Sequence, residues 1–320
     1  MSQIASSASP KIRPIGRSSE SSIRQSLARL GQAAAFLSTR GGLKLLGRVA
    51  PERAHEWARR LYFTPRRTRP DAEQHAWLQR AHRLDTRFDG HALAVYVWGE
   101  GPVVVLNHGW SGHAGQMTPF VAPLLSAGYK VVAVDMPGHG ASGGEQTSFV
   151  HFGRALLHVG KLLGPVEAVI AHSGGSPGAA FAQSLGLGAR RLVFVAPFSR
   201  FDRFVDFFGA SYGLSARFMQ QTMARGERWL GTSFDKAALA YTAWMRHEPL
   251  LVIHCADDRL VPIADGEEIT RLWPGARLMR REKLGHLRVL RDLQTVNAAV
   301  DFVRGASAAI DRDERTAEAA

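Results

Sequence analysis

Apolar and polar positions alternate over His82–Phe88 and again over His91–Trp98, with Asp89-Gly90 between the two stretches. Alternation is the period of a strand with one covered face, and Asp-Gly is a preferred pair for a two-residue hairpin turn. The pattern then changes. Val103–Leu106, Val131–Val134, Ala168–Ile170, Leu192–Val195 and Leu250–Ile253 are apolar throughout, the mark of strands covered on both faces. Helix-period segments lie between most of them, at Pro119–Ala127, His151–Leu163, Gly178–Leu185 and Ala264–Trp273, and another follows at Leu293–Val303. Strand and helix in alternation predict an α/β protein: a mostly parallel sheet with helices on both faces.

Two regions fall outside that rhythm. From Ile23 to Leu61 the apolar spacing is helical, and Gly41-Gly42 and Pro51 are expected to cut it into two or three helices. A linker starts at Phe63-Thr64-Pro65-Arg66-Arg67, and residues 71–80 read as another short helix. The Ser/Pro/Arg-rich residues 1–22 and the tail 307–320 are expected to lack order. Between Pro197 and Pro249 no buried-strand signal occurs, but Phe201, Phe204, Phe207, Phe208, Trp229 and Trp244 do. This reads as a helical lid inserted over the carboxyl edge of the sheet. Its aromatics either form its own core or line a substrate pocket. The expected organisation is a basic N-terminal extension (1–80), a core in two parts (81–199 and 248–306), and the lid (200–247).

Charge sharpens the picture of the extension. The chain carries a net charge of +12, and residues 1–70 hold 14 Lys and Arg against three acids, so the remainder is nearly neutral. Such a segment suits either solvated helices behind a disordered tail or a weak peripheral membrane contact through residues 1–70. A basic, Ser-rich start also resembles an organellar transit peptide, but it has no secretory apolar region. The expected location is cytoplasmic, with membrane contact at most peripheral. No nucleic-acid module accompanies the charge, so no nucleic-acid partner is expected. The one cysteine, Cys255, excludes an internal disulfide and a cysteine-based metal site. No cofactor is expected, and no metal either, because His108 and His113 have no carboxylate-rich set beside them.

The candidate chemistry starts at Val169-Ile170-Ala171-His172-Ser173-Gly174-Gly175-Ser176. An apolar run stops at a Ser flanked two residues away by Ala171 and Gly175. A nucleophile on a strand-to-helix turn needs small residues at those elbow positions, and Ala171 departs from G-x-S-x-G only at its first Gly. The Gly174 N–H would then stand at a helix N-terminus, where negative charge is favoured. The plainer alternative is Ser173 as a helix cap. A second piece, Asn107-His108-Gly109-Trp110, follows the strand Val103–Leu106. Its turn can bring the Trp110 N–H to the same point as the Gly174 N–H, as a pair of oxyanion donors. His108 itself reads as structural. The third piece is a carboxylate at Asp257-Asp258 after a late strand, followed by His286, in the order Ser, Asp, His.

With these in order, the chain resembles an α/β-hydrolase-fold enzyme of the serine-hydrolase type, over about His82–Arg304. The landmarks are NHGWSG, VVAVDMPGHGAS, AHSGG, LVIHCADDRLVP and GHLRVLRD. The resemblance implies an eight-stranded sheet and a catalytic set of Ser173, Asp258 and His286, with His139 structural. Asp258 takes the position of the family's acid, Cys255 standing where the family has Gly; Asp257, Asp202 and Asp206 remain alternatives. Ser at the elbow argues against chemistry that uses an Asp nucleophile there. The implied reaction is cleavage of a carboxylic ester or thioester with a small apolar acyl group, through an acyl-serine intermediate. C–C bond hydrolysis, acyl transfer, or ligand binding without turnover use the same scaffold.

Overall fold

The computed structural model describes residues 17–305, with side chains from Gly31 onward. The chain opens with α1 (Arg17–Val49), α2 (Pro51–Phe63) and α3 (Ala72–Gln79). The expected unordered tail 307–320 and residues 1–16 lie outside the described residues, and Arg17–Ser22 are helical. Gly41-Gly42 does not break α1, contrary to expectation. A side chain at Gly42 would stand 2.9 Å from the Trp57 ring, so this glycine lets α1 and α2 approach closely while fully buried Leu43 anchors the helix. Pro51 does end it. The residue before a proline is pushed out of helical conformation, and Ala50 sits at φ −150°, ψ 71° with Pro51 opening α2.

The sheet begins with β1 (His82–Phe88) and β2 (His91–Trp98), an antiparallel pair. Asp89 and Gly90 both have positive φ, 49° and 76°, as the tight hairpin turn requires. Then follow β3 (Val103–Asn107), α4 (Val121–Ser126), β4 (Lys130–Val134), α5 (Phe149–Leu163), β5 (Val166–His172), α6 (Gly175–Ser184) and β6 (Arg191–Val195). After β6 come α7 (Asp202–Tyr212), α8 (Ala216–Leu230) and the short α9 (Leu239–Thr242). The chain returns through β7 (Leu250–Cys255), α10 (Ile263–Leu272), β8 (Arg277–Arg281), the single turn α11 (Gly285–Arg288) and α12 (Leu293–Val303).

The eight strands lie in the order β1-β2-β4-β3-β5-β6-β7-β8, parallel from β4 onward. Within each apolar strand, alternate residues serve opposite faces. Val104 and Leu106 join Phe120, Ile170 and Val300 on one side. Val105 joins Phe152, Val169, Phe194 and Trp273 on the other. β8 was not legible as an apolar run, because it is a half-exposed edge strand rich in Arg, and charge on an edge discourages further pairing.

The order has one consequence for chemistry. β3 pairs with β4 on one side and β5 on the other, so the chain's winding direction reverses there. Ligands of open α/β sheets bind beyond the carboxyl ends of strands at such a point. Asn107 is registered opposite Ala171, which sets His108–Trp110 beside His172–Gly174.

The segments outside the sheet pack on each other. His55 of α2 stacks on Phe218 of α8 and its Nδ1 lies 2.8 Å from Thr222 Oγ1. Tyr62 meets Phe208, Phe63 meets Trp229 and Phe234, and Phe36 meets Tyr212. Many of the insertion's aromatics are therefore covered by α1 and α2.

Candidate active site

Ser173 occupies the sharp turn between β5 and α6. Its φ is +48°, a left-handed conformation that a residue with a side chain adopts only under constraint. Its N–H donates to Val195 O at 2.9 Å, and its carbonyl accepts from Ser176 N at 3.0 Å. Neighbouring glycines make room. A Cβ on Gly175 would lie 2.7 Å from both Asn107 O and His108 O, and one on Gly109 would lie 3.0 Å from Ser173 Cβ. Asn107 Nδ2 donates to Gly175 O at 2.8 Å, tying the β3 end to the elbow.

The Trp110 amide faces the same corner: its N lies 3.2 Å from where a Gly174 Cβ would stand. Ser111, just after it, has φ +57°. Its N–H donates to His139 Nε2 at 2.8 Å. His139 Nδ1 sits 3.0 Å from Pro137 O, so its proton is on Nδ1 and Nε2 is free to accept. Burial, aided by the neighbouring His108, drives the His139 pKa down to about 3, and the ring is neutral. His108 is built the same way, with Nδ1 on Gly109 O at 2.7 Å and Nε2 accepting from Met136 N at 3.0 Å. Burial lowers it to about 4. Both are structural in geometry. Asp135 joins these loops: its carboxylate accepts from Ala114 N at 2.7 Å and Ala141 N at 2.8 Å.

Asp258 and His286 come from the ends of β7 and β8. Asp258 Oδ2 lies 2.7 Å from His286 Nδ1, while Oδ1 accepts from the Leu260 and Val261 amides at 2.9 Å each. Burial pushes the carboxyl pKa up. The bonds from His286, Val261 and Leu260 outweigh it and leave Asp258 below its ordinary value. Asp257 is exposed and turned away, with the Cys255 thiol on its Oδ1 at 2.8 Å. Cys255 is buried and free, and its sulfur also accepts from the Leu284 and Gly285 amides at 3.4 and 3.3 Å. It thus ties the loop bearing Asp258 to the turn bearing His286.

His172 brings His286 to the elbow. Its Nε2 bonds the His286 carbonyl at 3.0 Å, and the two ring centroids are 4.8 Å apart. Burial next to His286 lowers the His172 pKa to about 3. Asp258, His286 and the Ser173 turn are thereby gathered at one edge. Ser173 Oγ and His286 Nε2 have no hydrogen-bond partner among the described residues, so the link between them is open in this state. Asp202 and Asp206 lie on α7 and are not bonded to His286.

A model of the alpha/beta hydrolase family matches residues 103–299. The chain belongs to this family.

Among relatives, this hydrolase is 33% identical over 117 residues to the pimeloyl-[acyl-carrier protein] methyl ester esterase of Xanthomonas campestris pv. campestris (strain B100). That match spans 36% of the hydrolase and 44% of the relative, less than half of the curated protein's length. Its fold is similar to that of an esterase from Exiguobacterium antarcticum, with a TM-score of 0.54 and 20% identity over 68% of this chain and 97% of the other. The thioesterase domain from the curacin biosynthetic pathway gives a TM-score of 0.53 at 17% identity, over 70% and 99% of the two chains.

Sequence reasoning missed Phe149 in the hydrolase. Its ring lies against Gly174, 2.4 Å from where a Cβ there would stand, and packs on Trp110, Phe198 and Phe201. It begins α5 in sequence and carried no signal beyond an apolar position. Among the described residues no group of His, Cys, Asp or Glu is arranged to hold a metal ion. An open cleft of about 880 Å³ between α7 and α10 is lined by charged groups and does not include Ser173 or His286. Its charges largely pair off, Arg203 with Asp265 and Arg200 with Glu268, which marks it as a solvated groove.

Proposed function

We propose that this hydrolase cleaves a carboxylic ester or thioester through an acyl-serine intermediate, with Ser173 as nucleophile, His286 as base and Asp258 as its orienting acid. The carrying observation is the left-handed Ser173 turn standing beside the 2.7 Å Asp258–His286 pair. In the reaction His286 Nε2 takes the Ser173 proton while Oγ attacks the acyl carbon. The Ser173–His286 hydrogen bond closes as substrate binds, since catalytic hydrogen bonds often tighten only then. The Trp110 and Gly174 amides receive the oxyanion. His286 then returns the proton to the leaving alkoxide or thiolate, and water repeats the sequence to free the acid. Asp258 stays ionised and holds the imidazolium.

The aromatic wall of Phe149, Phe198 and Phe201 suits an apolar acyl group of modest size. The relative named as a methyl ester esterase supports an ester as the bond cleaved. In this reading residues 200–247 act as a lid, held by α2 at its outer side. Fluorophosphonate labelling and turnover of short p-nitrophenyl esters test it. Both are expected in the native chain and lost in Ser173→Ala; turnover surviving in that variant overturns the assignment. A burst without further turnover would instead favour ligand binding without catalysis.

A second reading concerns α1, where Leu37, Leu45 and Val49 are exposed beside Lys44 and Arg48, which are also exposed. An apolar stripe among cations suits weak attachment to an anionic membrane surface. Among the described residues no helix is long and apolar enough to cross a membrane. Salt-sensitive binding to anionic vesicles, lost when the chain starts at Pro51, is the expected result; binding that survives the deletion would rule α1 out.

A further inference from the structure

The linker after α2 touches the turn that carries the Trp110 amide at several points. Ser111 has three main polar groups, and two are held from this linker. The Arg66 N–H donates to Ser111 Oγ at 3.0 Å, and Thr68 Oγ1 donates to Ser111 O at 2.7 Å. The third, the Ser111 N–H, goes to His139. His139 sits in a loop that the same linker clamps. Arg67 donates to the carbonyls of Gly140, Ser142 and Gly144 at 2.7 to 2.8 Å. The linker is itself pinned, Thr147 N–H donating to Phe63 O at 2.9 Å.

Ser111 needs such holding. At φ +57° it occupies a conformation that is strained for a residue with a side chain. Released, Ser111 would relax and swing the peptide that precedes it. That peptide joins Trp110 to Ser111, so its swing turns Trp110 and with it the Gly109–Trp110 peptide, whose N–H lies near Gly174. A donor aimed at a developing oxyanion works only if its direction is set in advance.

We propose that Arg66–Thr68 braces the oxyanion turn, with Thr68 and Arg67 as positioning residues that fix the direction of the Trp110 amide. The N-terminal extension would thus complete the catalytic apparatus, although it lies ahead of the matched family region. The proposal rests on the acyl-serine reading above.

The test uses full-length Thr68→Val and Arg67→Met, with Thr68→Ser as the conservative variant. Thr64→Val is the control, because Thr64 Oγ1 donates only to Arg60 O, back in α2. Four quantities are followed: kcat, KM, inhibition by a boronic acid that forms a tetrahedral adduct, and amide hydrogen exchange over residues 108–113. In Thr68→Val and Arg67→Met, kcat is expected to fall about tenfold and boronate affinity to weaken in parallel. KM and melting temperature should hold, and exchange should speed up at the turn. Thr68→Ser should restore native values and Thr64→Val should match them. Unchanged exchange in both variants would overturn the brace, whatever the activity. Faster exchange with kcat and boronate affinity unchanged would overturn its link to the oxyanion. Failure of the underlying reading looks different: the native chain itself would neither label at Ser173 nor turn over.

Discussion

Asp258 Oδ2 lies 2.7 Å from His286 Nδ1, and the other carboxylate oxygen is taken up by the two amides that follow it in its own loop. The side chain is thus fixed at both oxygens, one in the loop and one on the imidazole. Asp257, next in sequence, points the other way and holds the Cys255 thiol. Asp258→Asn is therefore expected to lower kcat about a thousandfold or more, since the amide orients the ring poorly and leaves its charge unbalanced. Asp257→Asn should stay within about threefold of the native chain. Steady-state kinetics on one ester checks both; a reversed order would move the acid to Asp257.

Gly175 allows the elbow to lie against the end of β3. A methyl group there would meet two carbonyl oxygens at 2.7 Å, and backbone cannot retreat as a flexible side chain can. Gly175→Ala should lower stability by about 1–3 kcal/mol and remove most activity, read from denaturant melts alongside turnover. A fully active, fully stable variant would mean that the turn has more room than its geometry allows.

Cys255 does more than fill space. Its sulfur accepts from the Leu284 and Gly285 amides, directly ahead of His286. Cys255→Ala removes that tie, and kcat is expected to drop several-fold with KM little changed. The stability loss should be near 1 kcal/mol, the scale of weak hydrogen bonds. A large KM change with kcat intact would place the effect in the pocket.

Acid should destabilise the fold early. His108, His139, His151 and His172 have folded-state pKa values lowered by burial to about 4, 3, 4 and 3, from 6.5. Protonation then favours the unfolded chain, so their contribution is whole above about pH 6.5 and is lost as pH falls toward 4 and 3. Each such proton is worth about 1.4 kcal/mol per pH unit in that window. Thermal melts should hold from pH 7.5 to about 6.5 and fall steadily from there to pH 5, and a flat profile throughout would mean that these rings charge freely in the folded state.

Phe149 offers a direct test of the proposed acyl wall. Its ring lies between the Gly174 turn and the Phe198–Phe201 pair. Phe149→Ala should shift p-nitrophenyl ester preference toward longer acyl chains by a few-fold or more in kcat/KM. An unchanged chain-length profile would take Phe149 out of the acyl wall.

Much of this hydrolase is written locally. The hairpin at Asp89-Gly90, five apolar strands, and a Ser between small residues at a strand end are all features of near neighbours in sequence. Period and turn chemistry act over a few residues, so they survive in a string of letters. Asp258 was favoured over Asp257 by its place in the family resemblance alone, since both follow the same strand; the contact that distinguishes them, with His286, joins residues distant in sequence. α1 ran through Gly41-Gly42 because Trp57, on another helix, fills the space that Gly42 leaves open. β8 has no apolar run because an edge strand is half-covered at best. The strap at Arg66–Thr68, Phe149 against Gly174, and the sulfur of Cys255 on the His286 turn are contacts between residues distant in sequence. The residues themselves are polar or aromatic in unremarkable settings. The sequence determined which groups could carry chemistry; the tertiary structure decided which of them face each other, because that follows from strand order and packing and not from local pattern.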